Sequence, residues 1–204
     1  MPDYIAIAGN MGAGKSSLVD FLCKKFGHTP FFEPNDLNPY LDDFYKNMDG
    51  YAFQSQMFFL IQKFKIHQEM AADTGGAVLV QDRTIFEDAE IFCTNLYRSK
   101  KMAKRDYETY MAMYQTILNA IPRPKVLIYL HCSARTLMQR IARRGRASEM
   151  NVPADYIKQL DKLYKKWIGT YTMSSVVTVE TEKIDYLEDF IEQERIVSQL
   201  REYL

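Results

Sequence analysis

The chain has 204 residues, and its 26 Lys and Arg balance 26 Asp and Glu, so the formal net charge is zero. That length suits a single domain, 1–204, with a substantial core, and the charge balance argues against a nucleic-acid polymer or a membrane surface as partner. Three scattered cysteines, Cys23, Cys93 and Cys132, show no metal-ligand spacing and point to free thiols in a reducing, cytoplasmic setting.

The first element, over 4–8, reads as a short buried strand. It runs into Gly9-Asn10-Met11-Gly12-Ala13-Gly14-Lys15-Ser16, and a helix follows from Ser17. This stretch fits G-x-x-x-x-G-K-[ST] between a strand and a helix, the arrangement that cradles nucleotide phosphates. The glycines let the backbone approach a phosphate and turn N–H groups inward, and the helix start adds a positive dipole end. Lys15 can reach the β- and γ-phosphates, and Ser16 can bind Mg²⁺. The whole run from Gly9 to Ser17 is therefore the expected donor-nucleotide contact. Because the loop is reached at once, no leader segment is expected, and no apolar run is long enough to span a bilayer.

A second strand, over 29–32, ends in Glu33-Pro34. Pro34 keeps Glu33 out of helical geometry. The Glu33 carboxylate reads either as a solvated loop group or as a base for an attacking hydroxyl. A helix over 51–70 carries Phe53, Met57, Leu60 and Phe64 as a core stripe. Gln56 and Lys63 lie two turns apart on a related face, and the Gln56 amide can pair with a base edge or face water. A third strand, over 77–80, leads into Gln81-Asp82-Arg83-Thr84. Asp82 can hold Mg²⁺ directly or through water, and Arg83 can neutralise a transferring phosphoryl group; the alternative is an exposed ion pair at a helix start.

Helices over 86–97 and 106–120 are rich in aromatic residues and Met. Pro122 and Pro124 introduce a fourth strand over 125–130. The helix that begins near Ser133 ends with Arg140, Arg143, Arg144 and Arg146 around Gly145. That cluster suits a lid over about 140–152 closing on triphosphate oxygens, or a basic helix end facing its own dipole. A fifth strand covers 176–179. The alternation predicts an α/β, P-loop NTPase-like three-layer fold: a five-stranded parallel sheet with helices on both faces and an Arg-rich lid. In such sheets the ligand lies beyond the C-terminal strand ends. The Asn-Lys-x-Asp guanine reader of a nucleotide switch protein is missing from the sequence.

Taken together, these motifs resemble the deoxyribonucleoside kinase family. The resemblance rests on an ordered set: Glu33-Pro34, Tyr45 with Gln56, Asp82-Arg83-Thr84 with Asp88, and Arg144-Gly145-Arg146 with Glu149. The block Asp82 through Ala89 looks particularly like bacterial members, and the stretch Asn35-Asp36-Leu37-Asn38-Pro39-Tyr40 looks similar to bacterial deoxyadenosine/deoxyguanosine kinases. The resemblance implies Glu33 as general base for the sugar 5′-hydroxyl, with Arg83 stabilising that reacting end. It implies Tyr45 and Glu149 on the 3′-hydroxyl, Gln56 on the base, Phe92 stacked on it and Asp88 at its outer edge. Arg140, Arg144 and Arg146 would belong to the lid, and the loop over 180–184 would approach the donor adenine. Many members carry an arginine where this chain has Lys63, which lacks a planar fork.

The expected activity is transfer of the ATP γ-phosphate, with Mg²⁺, to the 5′-hydroxyl of a deoxynucleoside in nucleotide salvage. Asp88 argues against a thymidine-selective pocket, because an acidic acceptor suits an amino-bearing base or a base N–H; a purine such as deoxyadenosine is the expected acceptor, with deoxycytidine or deoxyguanosine as the alternative. A nucleoside monophosphate kinase is the rival activity, although its acceptor needs cations for an extra phosphate. The resemblance also implies a homodimer through the helices over 51–70, 86–97 and 106–120. A deoxynucleoside triphosphate, entering in reverse, is the expected feedback inhibitor.

Overall fold

The computed structural model describes residues 3–146, 149, 152–183 and 190–204. Five strands, β1 (Tyr4–Gly9), β2 (Thr29–Phe31), β3 (Leu79–Asp82), β4 (Val126–His131) and β5 (Ser175–Glu180), form one sheet in the order β2-β3-β1-β4-β5. Every pairing is parallel. All six residues of β1 are buried, as the central strand of a covered sheet requires. Pro30 lies in β2 at the edge of the sheet, where a missing N–H costs no ladder bond.

The β3 assignment moves two residues toward the C-terminus from the sequence expectation. Pairing begins at Leu79, opposite Tyr4, and ends at Asp82, opposite Ile7. The preceding Gly75-Gly76-Ala77 run is loop, with Gly76 at positive φ. This register brings Asp82 to the last rung and leaves Arg83 just beyond the sheet. The Arg83 amide donates to the Ile7 carbonyl at 2.9 Å, extending the ladder by one bond.

Helix α1 (Lys15–Phe26) follows the phosphate loop and stops at Gly27, which adopts the left-handed conformation. A short helix α2 (Leu41–Lys46) precedes the long α3 (Met48–Ala72), which Asn47 caps by accepting from the Gly50 amide. After β3, a single turn α4 (Ile85–Glu87) passes into a π-helical stretch, Asp88–Cys93, and then into α5 (Thr94–Arg98). The uniform helix expected over 86–97 is therefore widened at its centre, a feature that often accompanies functional sites. Next come α6 (Lys104–Leu118), α7 (Ala134–Arg144), α8 (Ala154–Ile168) and α9 (Phe190–Leu200). One apolar core joins the sheet to these helices, with Tyr4, Tyr110, Tyr114 and Tyr164 among its largest buried side chains. The described part of 140–152 is the end of α7 with residues 145, 146, 149 and 152; residues 147, 148, 150 and 151 of the expected lid lie outside the described residues.

The phosphate loop is squeezed between β4 and α7, and two glycines make that possible. Gly9 has φ 152°, and a Cβ there would lie 2.8 Å from the Leu130 carbonyl oxygen. Gly12 has φ 79°, and a Cβ would lie 2.9 Å from the Leu137 carbonyl oxygen. Any other residue at either place meets both backbone strain and a backbone atom. Among the described residues, no helix is long and apolar enough to cross a membrane.

Candidate active site

The C-terminal ends of β1, β2 and β3 converge on one cavity, at the edge where parallel sheets present their ligand sites. The phosphate loop supplies one wall through Met11, Gly12, Lys15 and Ser16. Glu33, Asp82 and Arg83 enter from the strand ends, and Tyr45 and Gln56 from α2 and α3. Asp88 and Phe92 project from the π-helical stretch, and Arg144, Arg146 and Glu149 close the far side.

Charge is arranged around Glu33. Its carboxylate is bridged to Arg83 Nε at 2.7 Å, accepts from Asn35 Nδ2 at 3.0 Å, and lies 3.9 Å from Lys63 Nζ. Burial alone would raise its pKa, but Arg83, Lys63, Lys15 and the Asn35 hydrogen bond outweigh that and hold it at about 2. Glu33 is therefore ionised throughout the neutral range. Lys15 is the opposite case: burial, helped by the nearby Arg83, brings its ammonium down to about 8 despite three surrounding carboxylates. Its Nζ folds back onto the Asn10 carbonyl at 3.2 Å.

Ser16 Oγ donates to Asp82 Oδ2 at 2.6 Å, while Asp82 Oδ1 is buried with no partner. A hydroxyl and a carboxylate with one orphaned oxygen at a phosphate loop fit Mg²⁺, which takes few protein ligands and completes its shell with water and phosphate oxygens. Among the described residues, no group of three or more His, Cys, Asp or Glu gathers for a metal, so such an ion would depend on bound phosphates.

At the other end of the cavity two acceptors stand without donors, Gln56 Oε1 and Asp88 Oδ2. Both residues line the cavity, so a ligand bound there can supply the missing donors. Phe92 lies beside them, with the Arg83 guanidinium 4.4 Å from its ring centre. Tyr45 Oη points at the Met11 sulfur, 3.8 Å away. Glu149 is held by Arg144 and by Arg146 at 3.6 Å.

Two residues expected at the ligand take other positions. Lys63 is fully buried and does not line the cavity; its Nζ donates to the carbonyls of Asp82 at 3.2 Å and Arg83 at 2.8 Å. Its stem is long enough to pass beneath the cavity floor, where the free carbonyls of the β3 turn capture the ammonium. Arg140 likewise does not line the cavity. It donates to the carbonyl and hydroxyl of Thr181, and Thr181 Oγ1 reaches the Ala13 carbonyl at 3.3 Å. Arg140 thus buttresses the phosphate loop from behind, because its place on α7 faces the end of β5. Of the loop expected at the donor adenine, residue 184 lies outside the described residues. The phosphate-loop side chain of Asn10 serves the fold as well, donating to the Ile157 carbonyl at 3.1 Å and accepting from the Met11 amide at 2.8 Å.

Sequence reasoning missed Glu87 and Tyr164. Glu87 is fully buried and accepts four donors: the Gly9 amide and Tyr164 hydroxyl on Oε1, the Thr84 amide and hydroxyl on Oε2. Thr84-Ile85-Phe86-Glu87 is an S/T-x-x-E capping box, legible in the sequence and formed in the structure. Nothing local marks Tyr164, whose hydroxyl lies 2.9 Å from the Gly9 carbonyl and receives Arg83 Nη1 at 3.1 Å.

The deoxynucleoside kinase family model matches residues 5–204. The chain is 35% identical over 198 residues to a deoxyadenosine/deoxycytidine kinase of Bacillus subtilis (strain 168), covering 96% of this chain and 90% of that protein. It is 31% identical over 205 residues to a deoxyguanosine kinase of the same organism, covering 98% and 97%. Its structure is similar to that of deoxyadenosine kinase from M. mycoides with bound dATP, with a TM-score of 0.85, 28% identity, and coverage of 97% and 99%.

Asp88 gives this site a pH signature. Burial pushes its carboxyl up from 3.8 to about 7; Lys63 and Arg83 oppose the rise, and Glu33 and Glu87 add to it. The folded chain then keeps a proton that the unfolded chain releases, so stability is lost as pH rises from the unfolded pKa through about 7. Denaturant titrations of the ligand-free protein and Asp88→Asn should show the parent losing about 1–4 kcal/mol relative to the variant between pH 4 and 8. A pH-independent difference would contradict the assignment.

Proposed function

Because the chain belongs to the deoxynucleoside kinase family, it is an enzyme that phosphorylates deoxynucleosides, and we propose that it transfers the γ-phosphoryl group of ATP to the 5′-hydroxyl of a purine deoxynucleoside, deoxyadenosine first. The observation that carries this reading is the Glu33 carboxylate, bridged to Arg83 and facing the same cavity as Lys15 and Ser16 of the phosphate loop. A neutral acceptor suits that wall. An acceptor phosphate would instead face the ionised Glu33 and compete with it for Arg83.

In the proposed reaction, the 5′-hydroxyl sits at Glu33 and gives up its proton as the phosphoryl group arrives. A base held far below neutral pKa is a weak one, so proton transfer follows P–O bond formation rather than leading it, in keeping with a loose transition state. Arg83 and Lys15 balance the charge on the transferring oxygens. Mg²⁺ bound at Ser16 and Asp82 would neutralise the donor phosphates. Arg144 and Arg146 complete the cationic ring, and the lid role proposed for them includes release of Glu149 to the sugar 3′-hydroxyl beside Tyr45.

The orphaned acceptors Gln56 Oε1 and Asp88 Oδ2 support an amino-bearing base. Adenine fits, and cytosine is the second reading, in keeping with the deoxyadenosine/deoxycytidine kinase of B. subtilis. Exposed Ile61 on α3 and Met113 on α6 support a homodimer through those helices. Glu33→Gln should lower kcat by roughly 10²–10⁴ with little loss of deoxynucleoside binding, measured by steady-state turnover and equilibrium titration. A variant with parental kcat would sink the assignment.

Regulation follows from the same cavity. The M. mycoides enzyme has been solved with dATP and with dCTP bound. Here the base and sugar of such a triphosphate would occupy the Gln56–Phe92 end, and its phosphates would run back to Lys15 and the loop. End-product triphosphate should inhibit competitively with the deoxynucleoside and be opposed by ATP. Purely noncompetitive inhibition toward both substrates would mean that it binds elsewhere.

A further inference from the structure

We propose that Glu87 and Tyr164 are a positioning pair that registers the acceptor-side Arg83 against the donor-side phosphate loop. The inference rests on the reading of Arg83 as the cation at the reacting end. A capping box requires only that Glu87 serve Thr84, and one carboxylate oxygen does so, accepting from its amide at 2.7 Å and its hydroxyl at 2.9 Å. The second oxygen leaves the helix altogether. It accepts from the Gly9 amide at 3.0 Å, where β1 enters the phosphate loop, and from Tyr164 Oη at 2.7 Å. Four donors saturate the carboxylate, which is what a fully buried anion needs, and an amide in its place cannot accept all four.

Tyr164 carries the link onward. Its hydroxyl has one proton, shared between Glu87 Oε1 and the Gly9 carbonyl at 2.9 Å, and its lone pairs receive Arg83 Nη1 at 3.1 Å. The guanidinium is thereby fixed at three points: Nε on Glu33, Nη1 on Tyr164 and its face on the Phe92 ring. Arg83 needs such support. It is not glycine, yet it holds φ 62° in the left-handed region, so its turn is strained and its side chain depends on its surroundings for direction. The Tyr164 ring is independently packed, stacked on Tyr129 at 5.8 Å and edge-on to Trp167 at 6.3 Å. Loss of the hydroxyl alone therefore leaves the ring in place and unlocks the Nη edge of the guanidinium.

The test is a double-mutant cycle with Tyr164→Phe, Arg83→Lys and the combined variant, each read as kcat, KM for the deoxynucleoside and unfolding midpoint. Tyr164→Phe should lower kcat about tenfold while KM stays within about twofold, because what is lost is orientation at the transition state. The combined variant should be no slower than Arg83→Lys alone, since Tyr164 acts through a group already removed. Glu87→Gln should show the same non-additivity with Arg83→Lys, which keeps the proposal testable if Tyr164→Phe does not fold. Parental kcat in Tyr164→Phe, or losses that multiply in the combined variant, would overturn the pair as a positioning device. Parental kcat in Arg83→Lys would instead overturn the reading of Arg83 itself.

Discussion

The buried Lys63 ammonium donates to the carbonyls of Asp82 and Arg83, and this clamp holds the turn at which the Glu33 wall of the cavity meets the phosphate loop. Strand β3 ends opposite Ile7 of β1, so the next residue must leave the sheet at the level of the phosphate loop. Arg83 does so with positive φ, and its carbonyl and that of Asp82 both face the buried Lys63 ammonium. Two buried carbonyls without donors would cost about 1–3 kcal/mol each. One ammonium satisfies both and also places a positive charge 3.9 Å from Glu33. The same turn aims Asp82 at Ser16 and Arg83 at Glu33.

From this turn the cavity takes an electrical gradient. At the strand ends, Arg83, Lys63 and Lys15 all act on Glu33 and pull it far down. At the π-helical end, Asp88 is buried where Lys63 and Arg83 already serve other groups, and its carboxyl rises toward neutrality. Two carboxylates in one cavity are thus held on opposite sides of their ordinary range by different surroundings, the pattern that separates acid–base roles in enzyme sites. The widened helix contributes by presenting Asp88 and Phe92 to one cavity, each beside a group from another element.

The parts of this arrangement that were legible in the sequence are those governed by local chemistry. The glycine-rich loop, the strand before it and the helix after it are specified within about two dozen residues, and the five-strand alternation follows from hydrophobic period. The meeting of Glu33, Asp82 and Arg83 at one cavity is legible because the C-terminal strand ends of a parallel sheet share one edge. Lys63 and Arg140 carried the right charge, but a long flexible side chain goes wherever the nearest unsatisfied carbonyl lies, and that is a tertiary fact. The π-helical stretch left no composition signal. Glu87 was readable as a cap and no more, because its second oxygen reaches Gly9 across 78 positions of sequence. Tyr164 had no signal at all, being one aromatic among several on an amphipathic helix.

The central claim is that the wall formed by Glu33, Tyr45 and Arg83 receives a neutral sugar hydroxyl and that the phosphate loop delivers the phosphoryl group to it. The most direct measurement is turnover of the purified protein with ATP and Mg²⁺ against the four deoxynucleosides and their 5′-monophosphates, with products identified by mass. The account predicts 5′-monophosphates from the deoxynucleosides, deoxyadenosine foremost, and no diphosphate from any monophosphate. Diphosphate formation from the monophosphates, with the deoxynucleosides inert, would contradict it.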